Sequence, residues 1–170
     1  MRSFSDEMRS GTIELLKTKP ITEWHIILGK YLGALILICI ALLPTLTYIY
    51  SIFQLGNPQG NIDWGTVLGS YIGLILLGAA FTSIGIFTST LSHNQIIAFL
   101  LGVVLCYFVY AGFDALEALA LVSSGIMESL GMRLHFDSIS RGVADTRDII
   151  YFISVILFFL LLTKINLERK

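Results

Sequence analysis

Four stretches of the chain are free of charge for long enough to cross a bilayer, and charged residues mark where each begins and ends. Nothing between Lys30 and Asp63 is charged, nor between Asp63 and His93, nor between His93 and Asp114. A helix needs about 20 apolar residues to span the hydrocarbon core. The pattern therefore predicts crossings at residues 31–53, 67–91 and 96–113. A fourth run, residues 149–163, is bounded by Asp148 and Lys164 and holds only fifteen residues. Lys164 can snorkel and the helix can begin earlier, so it too reads as a crossing. Pro44 sits inside the first run, where it removes one backbone hydrogen bond that Thr45 and Thr47 can compensate.

Outside the crossings the pattern changes. Residues 1–30 are charged and predict two helical pieces. Residues 10–18 carry Ile13, Leu15 and Leu16 beside Glu14 and Lys17, and Pro20 stops that piece. A second piece starts at Thr22, a favourable N-cap, with Glu23 in its first turn. Ile21 and Ile26 are placed to staple that start. Residues 114–148 hold apolar pieces too short to span, one carrying Glu117 and the next Glu128, broken at Ser123, Ser124 and Gly125. They suit either a pair of brief re-entrant helices or an amphipathic helix lying flat. His135 and Asp137 fall in what reads as a loop.

Composition agrees with a membrane protein. Of 170 residues 55% are hydrophobic and 14% charged, against about 25% charged in soluble domains. Mean hydropathy is +0.81. A net charge of −1 gives no signal for nucleic acid. Cys39 and Cys106 lie inside apolar runs and suggest neither disulfide nor metal. The expected fold is one all-α, polytopic membrane helix bundle over residues 1–170. It has four transmembrane helices, an N-terminal cytoplasmic amphipathic helix and a short outer re-entrant segment.

Basic residues set the orientation. Arg2, Arg9, Lys17, Lys19, Lys30, Lys164, Arg169 and Lys170 share one side; Arg133, Arg141 and Arg147 take the other. The excess places both termini in the cytoplasm. Trp24 and Tyr31 mark the inner boundary, and Tyr48, Tyr50, Trp64, Tyr107, Tyr110 and Tyr151 the outer one. Small residues four apart, Gly29 with Gly33 and Gly69 with Gly73, allow close helix packing within the chain or between subunits.

Catalytic chemistry is sparse. Gly29-Lys30-Tyr31 lacks the spacing of a phosphate-binding loop, so nucleotide hydrolysis is expected on another chain. His25, His93 and His135 are far apart in sequence. His135 and Asp137, with Asp145 and Asp148 nearby, show no defensible ligand spacing, and structural hydrogen bonding is the favoured reading. The first three crossings hold no charge, which argues against a proton relay. Thr45, Thr47, Ser70, Thr82, Ser83, Thr88, Ser89 and Thr90 supply hydroxyls, most of them expected to bond to backbone. No catalytic, cofactor or metal residue is assigned.

Two regions carry a resemblance. Arg9-Ser10-Gly11-Thr12-Ile13-Glu14-Leu15-Leu16, then Pro20-Ile21-Thr22-Glu23-Trp24, then Leu28-Gly29-Lys30-Tyr31-Leu32 resemble the cytoplasmic coupling helix and its sequel in ABC-2-type transporter permeases. The run from His135 through Phe136, Asp137, Ser138, Ile139, Ser140 and Arg141 to Gly142 is similar to the region before the last helix in that family. With Asp145 to Asp148 and Tyr151, it is closest to the gliding-motility-associated branch. The resemblance implies an inner-membrane permease subunit of an ATP-driven exporter. It implies a separate cytoplasmic ATP-binding cassette chain, a second permease chain in a homo- or heterodimer, and contact with membrane lipid. ATPase coupling would fall on Gly11, Thr12, Glu14, Leu15, Leu16, Lys17 and Pro20. The family's usual permease has six membrane helices, so the four crossings here would match its third to sixth. A membrane scaffold, or less favourably a membrane-embedded hydrolase using His135 and Asp137, are the alternatives.

Overall fold

The computed structural model describes residues 4, 5, 7, 10, 22–56, 60–118, 130–142 and 145–169. Among them there is no strand. Helix α1 (Glu23–Leu42) passes through a 3-10 turn (Leu43–Thr45) into α2 (Leu46–Leu55). Then come α3 (Trp64–Leu91), α4 (Gln95–Tyr107), a π-helical turn (Phe108–Gly112), α5 (Phe113–Ala118), α6 (Met132–Ser140) and α7 (Thr146–Glu168). Four continuous helical stretches are long and apolar enough to cross a membrane: Glu23–Leu55, Trp64–Leu91, Gln95–Leu116 and Thr146–Glu168. The protein is an all-α polytopic membrane bundle.

Each crossing helix begins before the residue at which the crossing was expected, and polar caps mark the starts of α3 and α7. Asp63 accepts from the backbone amides of Gly65 and Thr66 to start α3, and Asp145 accepts from Arg147 N to start α7. Such caps satisfy amides that a helix start leaves unpaired. Pro44 does what its ring requires: it stands in the 3-10 turn that separates α1 from α2. There Thr45 Oγ1 donates to Leu42 O at 2.6 Å and meets Tyr71 Oη at 2.8 Å.

Helix α3 is the hub and packs against α1, α4, α6 and α7. Its buried positions are mostly small: Gly69, Gly73, Ala79, Ala80, Ser83, Gly85 and Ser89. Small side chains let backbones approach, which in a bilayer replaces the missing hydrophobic drive between helices. Helix α4 instead turns Ile96, Phe99, Leu100, Val103 and Val104 outward, as lipid-facing residues must.

Two buried clusters result. One joins Phe4, Ile27, Tyr31, Ala79, Ile86, Leu160 and Leu167, with Trp24 packed against it, at the end of the bundle holding both termini. The other joins Ala80, Ile84, Met132, Ile139, Phe152 and Phe159 toward the opposite end. Tyr31 therefore departs from the expected interfacial belt: it is 8% exposed and belongs to the core.

The segment 132–140 is the main difference from the sequence pattern. It is not a loop but helix α6, whose Met132, Phe136 and Ile139 turn inward at helical spacing. It runs antiparallel to α3. Ile139 O lies over Gly69, and the Phe136 ring lies against Gly73. Met132 joins the cluster that includes Leu76, Leu77 and Ala80. At 1.5 Å per residue, Met132 stands roughly 17 Å deeper than the Gly65 level. The segment thus folds back along α3 inside the bundle. It ends at Gly142, whose φ of +84° suits glycine.

Candidate functional site

At the terminal end, the first two turns of α1 are fastened to the rest of the bundle. Thr22 occupies the N-cap position, yet its hydroxyl makes no capping bond; it meets His25 Nδ1 at 2.5 Å instead. Glu23 sits in the first turn as expected. Lys30 Nζ pairs with Glu7 Oε1 at 2.6 Å and lies 4.3 Å from the centre of the Phe4 ring. Lys164 Nζ lies 5.7 Å from the Trp24 ring and pairs with Glu168 at 3.1 Å. Asn166 Nδ2 donates to Thr90 O at 3.0 Å and contacts Thr90 Oγ1 at 2.9 Å, tying the last turn of α3 to α7. Buried Ile27 fills the space between these ties.

The residues expected to couple to an ATPase, Gly11, Thr12, Glu14, Leu15, Leu16, Lys17 and Pro20, lie outside the described residues, as does Ile21 of the expected staple. What the structure adds is their destination. The chain that follows them enters α1 where α3 and α7 also end. Of the aromatic and cationic residues there, Trp24, Lys30 and Lys164 were read as separate boundary markers, and Phe4 gave no signal. Their mutual pairing spans the chain from one end to the other, so no local pattern reveals it.

At the opposite end, His135 and Asp137 do not form one site. His135 Nδ1 pairs with Asp148 Oδ1 at 2.7 Å, and both side chains are largely buried. The His135 ring stacks on Tyr151 with centroids 4.0 Å apart, and Tyr151 Oη donates to Leu130 O at 2.5 Å. Asp137 instead faces Arg133 at 3.8 Å, and Arg133 also meets Asp114 at 3.7 Å. The His135–Asp148–Tyr151 cluster binds α6 to α7 and serves packing. Asp63, exposed at the start of α3, accepts from Thr66 Oγ1 and the Thr66 and Gly65 amides. These bonds hold its carboxyl below the usual range.

The hydroxyls inside the crossings are consumed by backbone. Thr82 donates to Gly78 O at 2.7 Å, Ser83 to Ala80 O at 2.7 Å and Ser89 to Ile86 O at 2.6 Å. Thr45, Thr47, Thr88 and Thr90 likewise donate to nearby carbonyls. Ser70 reaches across to Ser140 O at 3.3 Å. The glycine pairs separate in role: Gly69 and Gly73 receive α6, whereas nothing lies within 4 Å of a Cβ built on Gly29 or Gly33.

A multi-pass all-α bundle with four long, apolar crossings has the build of a membrane subunit. Residues 1–128 match the family described as ABC-2 family transporter protein. The chain belongs to that family, which makes it a membrane permease subunit of an ABC transporter and implies an ATP-binding cassette partner. No curated protein and no solved structure matches it.

Proposed function

We propose that the chain is the permease of an ATP-driven exporter in the inner membrane, with both termini cytoplasmic and ATP hydrolysed on a separate chain. The observation that carries this reading is the fastening of α1 to α3 and α7 through Trp24–Lys164 and the buried cluster around Ile27, with Glu7 tied to α1 at Lys30. A push delivered at residues 10–19 by a closing ATPase pair would reach three crossings together, through the cluster they share. The basic-residue excess at the terminal end supports the orientation. A second permease chain, identical or related, would complete the pathway. The similarity of residues 135–151 to the gliding-motility branch suggests a role in surface movement.

With the hydroxyls already donating to backbone, cargo selection would rest on pore width and apolar lining. The test is charge reversal at Glu14 or Lys17, or replacement of Pro20, in the assembled transporter. ATP hydrolysis should continue while transport falls. Wild-type coupling in these variants would reject the mechanism, and thiol labelling of residues 1–30 from outside intact cells would reject the orientation.

A further inference from the structure

We infer that the trough between α1 and α3 holds an acyl chain of an anionic membrane lipid, with the headgroup's negative charge at Lys30. This rests on the membrane placement of the helices and is independent of export.

The trough has a volume of about 460 Å³ and is lined by Lys30, Ala34 and Ile38 from α1 and by Gly78, Phe81 and Thr82 from α3, among others. Such a volume is of ligand-site size. Its polarity is graded along its length. Lys30 is the last charged residue before the uncharged run that starts at Tyr31, which sets its ammonium at headgroup depth. Below it the walls are apolar apart from Thr82, and that hydroxyl donates to Gly78 O at 2.7 Å. The deep end narrows where Ile38 packs on Gly78, so closely that a Cβ there would meet Ile38 Cγ2 at 3.1 Å. Eight residues separate Lys30 from Ile38, or roughly 12 Å of helix.

A cation above an apolar trough that is open along its side and narrows at its deep end fits an amphiphile with an anionic head, and at this depth the surrounding solvent is lipid. Glu7 Oε1, 2.6 Å from Lys30 Nζ, shows that this ammonium accepts an oxyanion in place. A lipid phosphate would share the ammonium with Glu7. The ring of Phe4, 4.3 Å from the ammonium, covers it from another direction.

The full chain, purified in mild detergent, is offered equimolar phosphatidylglycerol and phosphatidylcholine with identical acyl chains, and retained lipid is counted by native mass spectrometry. The wild type should retain phosphatidylglycerol in roughly tenfold preference, the scale of one charge-assisted contact. Lys30→Gln should abolish the preference and Lys30→Arg should keep it. Thr82→Trp should fill the trough and remove retention of both lipids; Ala34→Phe does the same from the facing wall should the first variant fail to fold. No wild-type preference, or a preference that survives both Lys30→Gln and the filling variants, overturns the proposal. So does efficient disulfide formation between copies carrying Ala34→Cys, which would show a second chain in the trough.

Discussion

Gly69 and Ile139 touch through backbone: the Ile139 carbonyl oxygen lies over the Gly69 Cα, where any side chain would collide with it. Gly142 stands on the same spot, its Cα 2.9 Å from the position a Gly69 Cβ would take. Neither neighbour is a flexible side chain, so neither can yield cheaply. Gly69→Ala should therefore displace α6 and cost about 1–3 kcal/mol, the usual range for overpacking. Gly33→Ala, on an open face, should leave the monomer's thermal unfolding in detergent unchanged. Equal melting temperatures for the two variants would contradict this packing.

The pairing of His135 with Asp148 predicts which carboxylate matters at that end. Asp148→Leu leaves the largely buried imidazole without its 2.7 Å partner, a loss of about 1–3 kcal/mol for an unsatisfied buried group. Asp137→Asn removes only a half-exposed contact with Arg133, worth about 0–1 kcal/mol. Hydrogen exchange over residues 132–140 should accelerate in the first variant and stay near wild type in the second. The reverse order would show that Asp137, not Asp148, holds α6.

Asp63 predicts a pH dependence with a definite sign. Its carboxyl is held low, first by the Thr66 hydroxyl and then by the Thr66 and Gly65 amides. A lowered folded-state value means its contribution is complete above the ordinary aspartate range, near pH 4, and is lost as pH falls through the lowered value. Thermal unfolding between pH 6 and pH 2 should show this loss. Asp63→Asn, which keeps an acceptor without titrating, should lose less stability over the same range than the wild type. An identical acid response in the two proteins would mean the cap contributes nothing measurable.

The crossings were legible in the sequence because charge is excluded from hydrocarbon, so Lys30, Asp63, His93, Asp114 and Asp148 punctuate the chain. Pro44 was legible for a local reason, its missing amide. Helix α6 was not, because its polar residues, Arg133, His135 and Asp137, make the segment look solvated. Its signal was the inward spacing of Met132, Phe136 and Ile139, visible only if a helix is tested against that short window. The partner of His135 was half legible: Asp148 stood in the cluster named with it, but spacing could not rank it above Asp137, which helix geometry points to Arg133. The two glycine pairs show the same limit. Gly29 with Gly33 and Gly69 with Gly73 share one spacing, and only tertiary structure tells an open face from a docking site for α6.

Trp24 tests the proposed transmission path without touching the coupling residues themselves. Its ring lies 5.7 Å from Lys164 Nζ and packs against the cluster of Ile27, Ile86 and Leu167. The cation contact at a partly exposed site is worth about 0.5–1 kcal/mol, so most of the ring's hold on α7 comes from apolar contact. Lys164→Gln should then change little, whereas Trp24→Ala should open a gap between the first turn of α1 and the end of α7. In vesicles containing the transporter with its ATPase chain, Trp24→Ala should lower the cargo moved per ATP hydrolysed, with the ATPase rate kept. Trp24→Phe, which restores most of the apolar contact, should recover much of the ratio. If Trp24→Ala moves as much cargo per ATP as the wild type, the force reaches α7 by another route and the fastening at Trp24 is only structural.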